Sequence, residues 1–350
     1  VKIALTASGQ SIEINQADKN ETYFCPFCQQ PMLICGGEYK QKYFAHQQNK
    51  SKRGSGAGET NRHLHGKQAL IEFFKQRAVE VQTEMYLPAI KRRADIAVQT
   101  PSKTYIIEYQ CSPIRLAEIK ERTQAYRQLG LISYWIAGPK HVKQGSLFQT
   151  VQKFGRYNQQ KGWWFLTWDA LSQPVPELIY QIKRQALGKI IFQKRNLMIS
   201  QKHSKNYQKA IPIPSLAYEA QKIAHQLLGS RIDQRYLAIQ QLCYSHHRNL
   251  VGCPWIVHFP RTCTDFKNQN PPLLNRVAFL ITVEQNQQIT LADYQKIDLE
   301  FWEFLVKEGL VKKQQSKWIL ETTRIQWYTS YEVKIEQIKK TESNIKLLWS

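Results

Sequence analysis

Two carboxylates interrupt apolar, β-branched runs in the stretch RADIAVQTPSKTYIIEYQCSP, residues 93–113. They are Asp95 and Glu108, and Gln110 follows two positions after the second. Alternate residues of a strand share a face, so Glu108 and Gln110 point one way and Ile107, Tyr109 and Cys111 the other. If RADIAVQT and TYIIEYQCS are antiparallel neighbours, Asp95 lies beside Glu108. Carboxylates a few ångströms apart repel, and burying both is costly unless a cation sits between them. A hard divalent cation, Mg²⁺ or Mn²⁺, takes such oxygen ligands and keeps water in its remaining positions. That water is a nucleophile, and the metal stabilises charge on a phosphoryl group. Spacing alone leaves a second reading open, in which one carboxylate sits at a strand end or pairs with Arg92 or Arg93.

The flanking elements must position these groups. ETNRHLHGKQALIEFFKQRA (59–78) reads as a helix. At about 100° per residue, Glu59, His63 and Lys67 fall within roughly 80° of one another, on the stripe of Leu70, Phe73 and Phe74. They therefore face the protein, whereas Glu72 lies on the opposite side. VEVQTEMYLP, RADIAVQT and TYIIEYQCS read as three successive strands. Ser112 and Pro113 form a helix start, an N-cap with proline at the first helical position. The helix IRLAEIKERTQAYRQLG ends at Gly130, and LISYWIAGP begins a fourth strand. Arg115, Ile119, Arg122, Tyr126 and Leu129 share one stripe of that helix, which turns Arg122 inward.

The charge names a class of partner. A formal net charge of +22 points to a polyanion. Between Arg122 and Tyr218 the only acids are Asp169 and Glu177, against fifteen lysines and arginines. Nucleic acid is the expected partner, because no single basic amphipathic helix suggests a membrane surface. Lys67, Arg115, Arg122, Tyr126, Lys183, Arg184, Lys194 and Arg195 are the candidate DNA contacts. The aromatics of KGWWFLTWDAL (Trp163, Trp164, Phe165, Trp168) suit base stacking, but strand propensity favours core. No apolar run reaches membrane-span length, and the opening VKIALTASGQS lacks a signal peptide's hydrophobic region.

Seven cysteines, an odd number, suggest a reducing compartment and hence a cytoplasmic protein. Cys25-Pro26-Phe27-Cys28 has the spacing of a zinc knuckle, and His46 lies one hairpin later. Thiolate and imidazole suit Zn²⁺. The fourth ligand is open between Cys35, His63 and His65, and His63 cannot serve both zinc and phosphodiester chemistry. Cys111, Cys243, Cys253 and Cys263, with His246, His247 and His258, show no zinc spacing and read as packing.

Residues 1–48 read as short strands with the knuckle and a hairpin around Gly36-Gly37, a zinc-ribbon-like module. NKSKRGSGAG (49–58) is a linker by composition. Residues 59–180 form an α/β domain whose last part is strand-rich, and residues 181–350 a mostly helical, basic domain from YQIKRQALGKII onward. SLAYEAQKIAHQLLG and RYLAIQQLCYSHHR have helical apolar spacing, and GCPWIVHFP interrupts the pattern. LEFWEFLVKEGLVKKQQSKWIL reads as a helix followed by a β-hairpin, as in a winged helix.

The order helix, three strands, helix, strand, with an acid and then Glu-x-Gln, resembles the PD-(D/E)xK nuclease superfamily. CPFC with YFAH, ETNRHLHGK, RADIAV, and IIEYQCSPI followed by ERTQAYRQLG and YWIAGP are similar to the competence protein CoiA family of naturally transformable Gram-positive bacteria. The resemblance implies a restriction-endonuclease-like core, a mixed sheet flanked by helices. It also implies processing or recombination of DNA (single-stranded, duplex or branched) after uptake, alongside recombination proteins. Asp95 and Glu108 match the motif acids, Glu59 the helical acid, and Gln110 takes the place of the motif lysine. An amide orients water but neither neutralises charge nor takes a proton, which leaves His63 and Lys67 to supply those functions. The same departure supports a rival reading, a DNA-binding recombination accessory protein on a nuclease fold without turnover.

Overall fold

The computed structural model describes residues 3–26, 29–37, 40–46, 61–77, 79–197, 214–229, 232–286, 288–337 and 339. The expected linker (49–58), Cys28 and Glu59 lie outside the described residues. The chain divides into two units, one of residues 1–108 and 125–134, the other of residues 109–124 and 135–350.

The first unit opens with β1 (Ile3–Leu5), β2 (Ser11–Glu13), β3 (Tyr23–Phe24), β4 (Pro31–Gly37) and β5 (Lys40–His46). These form a five-stranded sheet in the order β2-β1-β3-β4-β5, antiparallel at every pairing. Its small core gathers Ala4, Ile14, Tyr23, Cys25, Met32 and Phe44. Between β3 and β4 the chain reverses at Cys25, whose N–H donates to the Gln30 carbonyl while its own carbonyl accepts from Gln29, each at 2.9 Å. Gly36, in the expected hairpin, has φ +101°, and a Cβ there would meet the Gln41 carbonyl at 2.6 Å. Only glycine suits that position.

Helix α1 (Asn61–Lys75) packs on β6 (Glu80–Leu87) and β7 (Arg92–Gln99). Antiparallel registers join Thr83 to Ile96 and Met85 to Ala94 across β6 and β7, and Ile96 to Ile107 across β7 and β8 (Thr104–Gln110). The strand order here is β6-β7-β8-β9, with β9 spanning Ile132–Ala137. Helix α2 (Leu116–Gln128) starts three residues later than the Ser112-Pro113 signal implies. The Ser112 carbonyl accepts from the Gln110 amide at 2.7 Å and lies 3.1 Å from His141 Nε2, so it opens no helical ladder.

In the second unit β9 pairs in parallel with β11 (Gly162–Thr167), which pairs antiparallel with β12 (Glu177–Gln185), and β12 with β13 (Ile190–Asn196). Helix α3 (Leu147–Phe154) and strand β10 (Arg156–Asn158) precede β11. The run YQIKRQALGKII is therefore strand rather than helix, and residue 180 falls inside β12. The cause is a bulge, as Gln181 has φ 50° and the register shifts between Tyr180 and Lys183. It buries Ile179, Ile182 and Ala186 at spacings of three and four residues, which reads in sequence as helical. Phe165 and Trp168 are core, as strand propensity implied.

The helices follow: α4 (Leu216–Leu228), α5 (Gln234–Ser245), α6 (Pro272–Asn286), α7 (Leu291–Tyr294) and α8 (Leu299–Lys307). Strand β14 (Thr262–Cys263) joins β12, and β15 (Val311–Gln314) pairs with β16 (Lys317–Leu320) directly after α8. The expected helix followed by a hairpin is thus present, with a bridge from Ile289 to Trp318 beside it. Cys243 and Cys253 are fully buried in the apolar core, and Cys263 is 1 % exposed beside β12. Burial pushes the Cys243 and Cys263 thiols up to about 12. Among the described residues, no helix is long and apolar enough to cross a membrane.

This core encloses charge. Arg276, fully buried, donates from Nε and Nη2 to both Asp298 oxygens at 2.8 Å. His258, also fully buried, sits between Glu219 (Nδ1 to Oε2, 2.8 Å) and the Lys334 ammonium (3.1 Å from Nε2). Burial and the Lys334 charge push the His258 imidazole from 6.5 down to about 4, against the opposing pull of Glu219. The folded state thus binds fewer protons there than the unfolded chain. Its contribution is complete above pH 6.5 and is lost as pH falls toward 4, on the order of 3 kcal/mol in all. Unfolding measured across that window is expected to show the slope, and His258→Gln to flatten it.

Candidate active site

The β7–β8 register, carried one step beyond Ile96 and Ile107, sets Asp95 opposite Glu108. The β6–β7 register, carried between its Thr83 and Met85 pairs, sets Glu84 opposite Asp95. The registers thus bring three acids to adjacent strands, and their common Lys67 partner puts the Glu84 and Asp95 carboxylates on the same face. Residues directly opposite have Cβ atoms about 5 Å apart, close enough for strong repulsion if uncompensated.

Helix α1 supplies the compensation. His63 and Lys67, four residues apart, face the sheet together. His63 Nε2 lies 3.6 Å from one Asp95 oxygen and the Lys67 ammonium 3.6 Å from the other. Lys67 is only 6 % exposed and also donates to Glu84 Oε1. Arg93 Nη1 holds the other Glu84 oxygen at 3.1 Å. Arg93 thus pairs with a strand carboxylate, as the alternative to a metal site required, in this case Glu84. Glu108, 2 % exposed, accepts from the hydroxyl of the fully buried Tyr126.

Several expected positions are corrected. Tyr126 is directed at Glu108 inside the fold and is not a surface contact for DNA. Arg184 is 2 % exposed, and its guanidinium donates to the carbonyls of Asp265, Asn268, Gln269 and Asn270, so it braces a loop instead of meeting phosphate. Lys67 is occupied by Glu84 and Asp95. Arg122 is half-buried, its guanidinium 5.0 Å from the Trp135 ring centre. Arg115, Lys183, Lys194 and Arg195 are exposed. The Gln110 amide N–H donates to Ser112. Cys25 is fully buried, and His46 ends β5 opposite Met32. Among the described residues, no group of three or more His, Cys, Asp or Glu side chains converges to hold a metal ion.

Glu84 is the site residue that sequence reasoning missed. In VEVQTEMYLP it alternates with Glu80 and Gln82 as solvent-facing residues of a strand do, so no local signal set it apart.

Residues 59–220 match the family model described as "Competence protein CoiA, nuclease-like domain", and residues 7–52 that described as "Competence protein CoiA, N-terminal domain". The chain belongs to the competence protein CoiA family. The Competence protein CoiA of Bacillus subtilis (strain 168) is 32 % identical over 141 residues, which cover 40 % of this chain and 38 % of that relative's length. No solved structure matches. The carboxylate cluster and both α1 side chains fall within the stretch matched by the CoiA nuclease-like domain.

Removing the hydroxyl that faces a buried carboxylate has a measurable cost. Tyr126→Phe is expected to lower stability by about 1–3 kcal/mol in denaturant unfolding. The loss should shrink in a Glu108→Gln background, since the two side chains act as one pair.

Proposed function

We propose that the chain is a divalent-metal-dependent DNA nuclease acting in DNA processing and recombination during natural transformation. The observation that carries this reading is the placement of Asp95 across from Glu108, with His63 and Lys67 of α1 against Asp95. Two carboxylates on one sheet face are a donor set suited to Mg²⁺ or Mn²⁺ held by Asp95 and Glu108, with water and phosphate oxygens completing the shell. Such an ion, when bound, supplies an activated water and charge stabilisation at the phosphoryl group.

The chain's own residues do the rest. Lys67, 3.6 Å from Asp95, brings the positive charge that Gln110 lacks. The His63 imidazole, at Asp95, can take a proton from water next to that carboxylate. Tyr126 keeps Glu108 fixed on the sheet face. Gln110 orients without titrating, through an amide already anchored on Ser112. Exposed Arg115, Lys183, Lys194 and Arg195 are the proposed phosphate contacts. We read the nuclease part, from residue 59 onward, as a PD-(D/E)xK core, followed by a basic helical domain, with action in the cytoplasm.

One observation favours the second reading, a non-catalytic DNA-binding accessory protein. Lys67 already pairs with both Glu84 and Asp95, and the Tyr126 hydroxyl already serves Glu108. Incubation of the protein with linear, single-stranded and branched DNA in Mg²⁺, Mn²⁺ or EDTA separates the two. Cleavage is expected with metal and not with EDTA, and binding should weaken steeply with salt. Asp95→Asn and Glu108→Gln should each abolish cutting while leaving the fold intact, and Gln110→Lys should keep or raise it. Acid variants that cut as well as the parent would end the nuclease reading. A parent that binds every DNA and cuts none leaves the accessory function.

For the N-terminal module, we propose a zinc-ribbon-like site built on Cys25, Cys28 and His46. Elemental analysis is expected to find near-stoichiometric zinc that Cys25→Ser removes, with a fall in the module's stability. Metal-free parent protein would refute it.

A further inference from the structure

Glu84 sits in mid-strand with φ 53°, a left-handed conformation that non-glycine residues seldom adopt. Backbone of this kind persists where surrounding contacts over-determine it, and it is concentrated at functional sites. Here the contacts are ionic. One Glu84 oxygen takes the Lys67 ammonium, and the other takes Arg93 at 3.1 Å. Lys67, in turn, hydrogen-bonds Glu84 and also stands 3.6 Å from Asp95. One buried ammonium thus serves both an acid of the proposed metal pair and an acid outside it.

An ammonium and a divalent cation compete for the same carboxylate, since each stabilises the same negative charge. If Lys67 rested wholly on Asp95, the cation would have to displace it. We propose that Glu84 is a positioning residue that holds Lys67 off Asp95. Asp95 is thereby left able to take a divalent cation, and the lysine stays in place beside it. Arg93 fixes the Glu84 carboxylate from its far side, so the acid cannot follow Lys67 toward Asp95. The proposal rests on the metal-dependent reading of Asp95 and Glu108 and adds the residue that sets access to them.

The test is Mn²⁺ binding to the full chain without DNA, by titration calorimetry, so that no turnover enters the readout. Glu84→Gln releases Lys67 onto Asp95 and is expected to weaken Mn²⁺ about tenfold, the scale of one partly buried ion pair redirected. Lys67→Met should bind at least as tightly as the parent. In the Lys67→Met background, Glu84→Gln should change affinity by less than about twofold, because the competitor is gone. Glu84→Asp retains the charge and should recover part of the loss; it decides the matter should Glu84→Gln not fold. Unchanged affinity in Glu84→Gln overturns the proposal. So does a tenfold loss that persists without Lys67, which would make Glu84 a direct ligand. A parent that binds no Mn²⁺ removes the metal-dependent reading and this proposal together, a pattern distinct from a parent that binds and a Glu84 variant that matches it.

Discussion

A carboxylate enclosed by a sheet and a helix must be given a cation or a proton donor, and this requirement organises the first unit. Glu84, Asp95 and Glu108 occupy facing positions on three neighbouring strands. Without compensation their mutual repulsion would oppose the strand pairing that brings them together. Helix α1 answers with His63 and Lys67, β7 with Arg93, and α2 with the Tyr126 hydroxyl. The helices are therefore more than an apolar cover. Each delivers a polar group to a specific acid, so the position of each helix along the sheet is specified by charge as well as by volume.

The second unit meets the same requirement without an acid pair. Asp298 is matched by Nε and Nη2 of the Arg276 guanidinium, whose Nη1 reaches the carbonyls of Val257, Phe259 and Pro260. Glu219 is shared between His258 and Arg261. These clusters sit in a closed, buried setting with their hydrogen-bond partners fixed, which favours a unique packing over exchangeable ligands. The acid face of the first unit is different, because one lysine serves two carboxylates. Shared charge is the arrangement that a competing cation can redistribute.

Asp95 and Glu108 were legible because an acid inside a β-branched run is anomalous wherever it occurs. His63 and Lys67 were legible because helical spacing puts them on the stripe of Leu70 and Phe74. Glu84 was not, since Glu80, Gln82 and Glu84 alternate like the wet face of an edge strand. Its enclosure comes from the packing of α1 back onto the sheet, which brings Lys67 to it and which the strand's own pattern does not announce. Arg184 was misread for a related reason. A bulge at Gln181 changes which side chains turn inward, and no local pattern announces the carbonyls of residues 265–270 that await the guanidinium. The run from Tyr180 to Ile191 imitates a helix through the same bulge, so strand β12 and the boundary near residue 180 were hidden by one local irregularity.

The Lys334 ammonium has a consequence for synthesis on the ribosome. It lies fully buried, 3.2 Å from Cys253 Sγ and 3.1 Å from His258 Nε2, although more than seventy residues separate it from either. A nascent chain that has emerged only as far as α8 already holds Glu219, His258 and the apolar core around them, but not the cation that completes the cluster. The cluster is therefore complete only once a segment more than seventy residues beyond Cys253 and His258 has packed, a contact of high sequence separation and correspondingly slow closure.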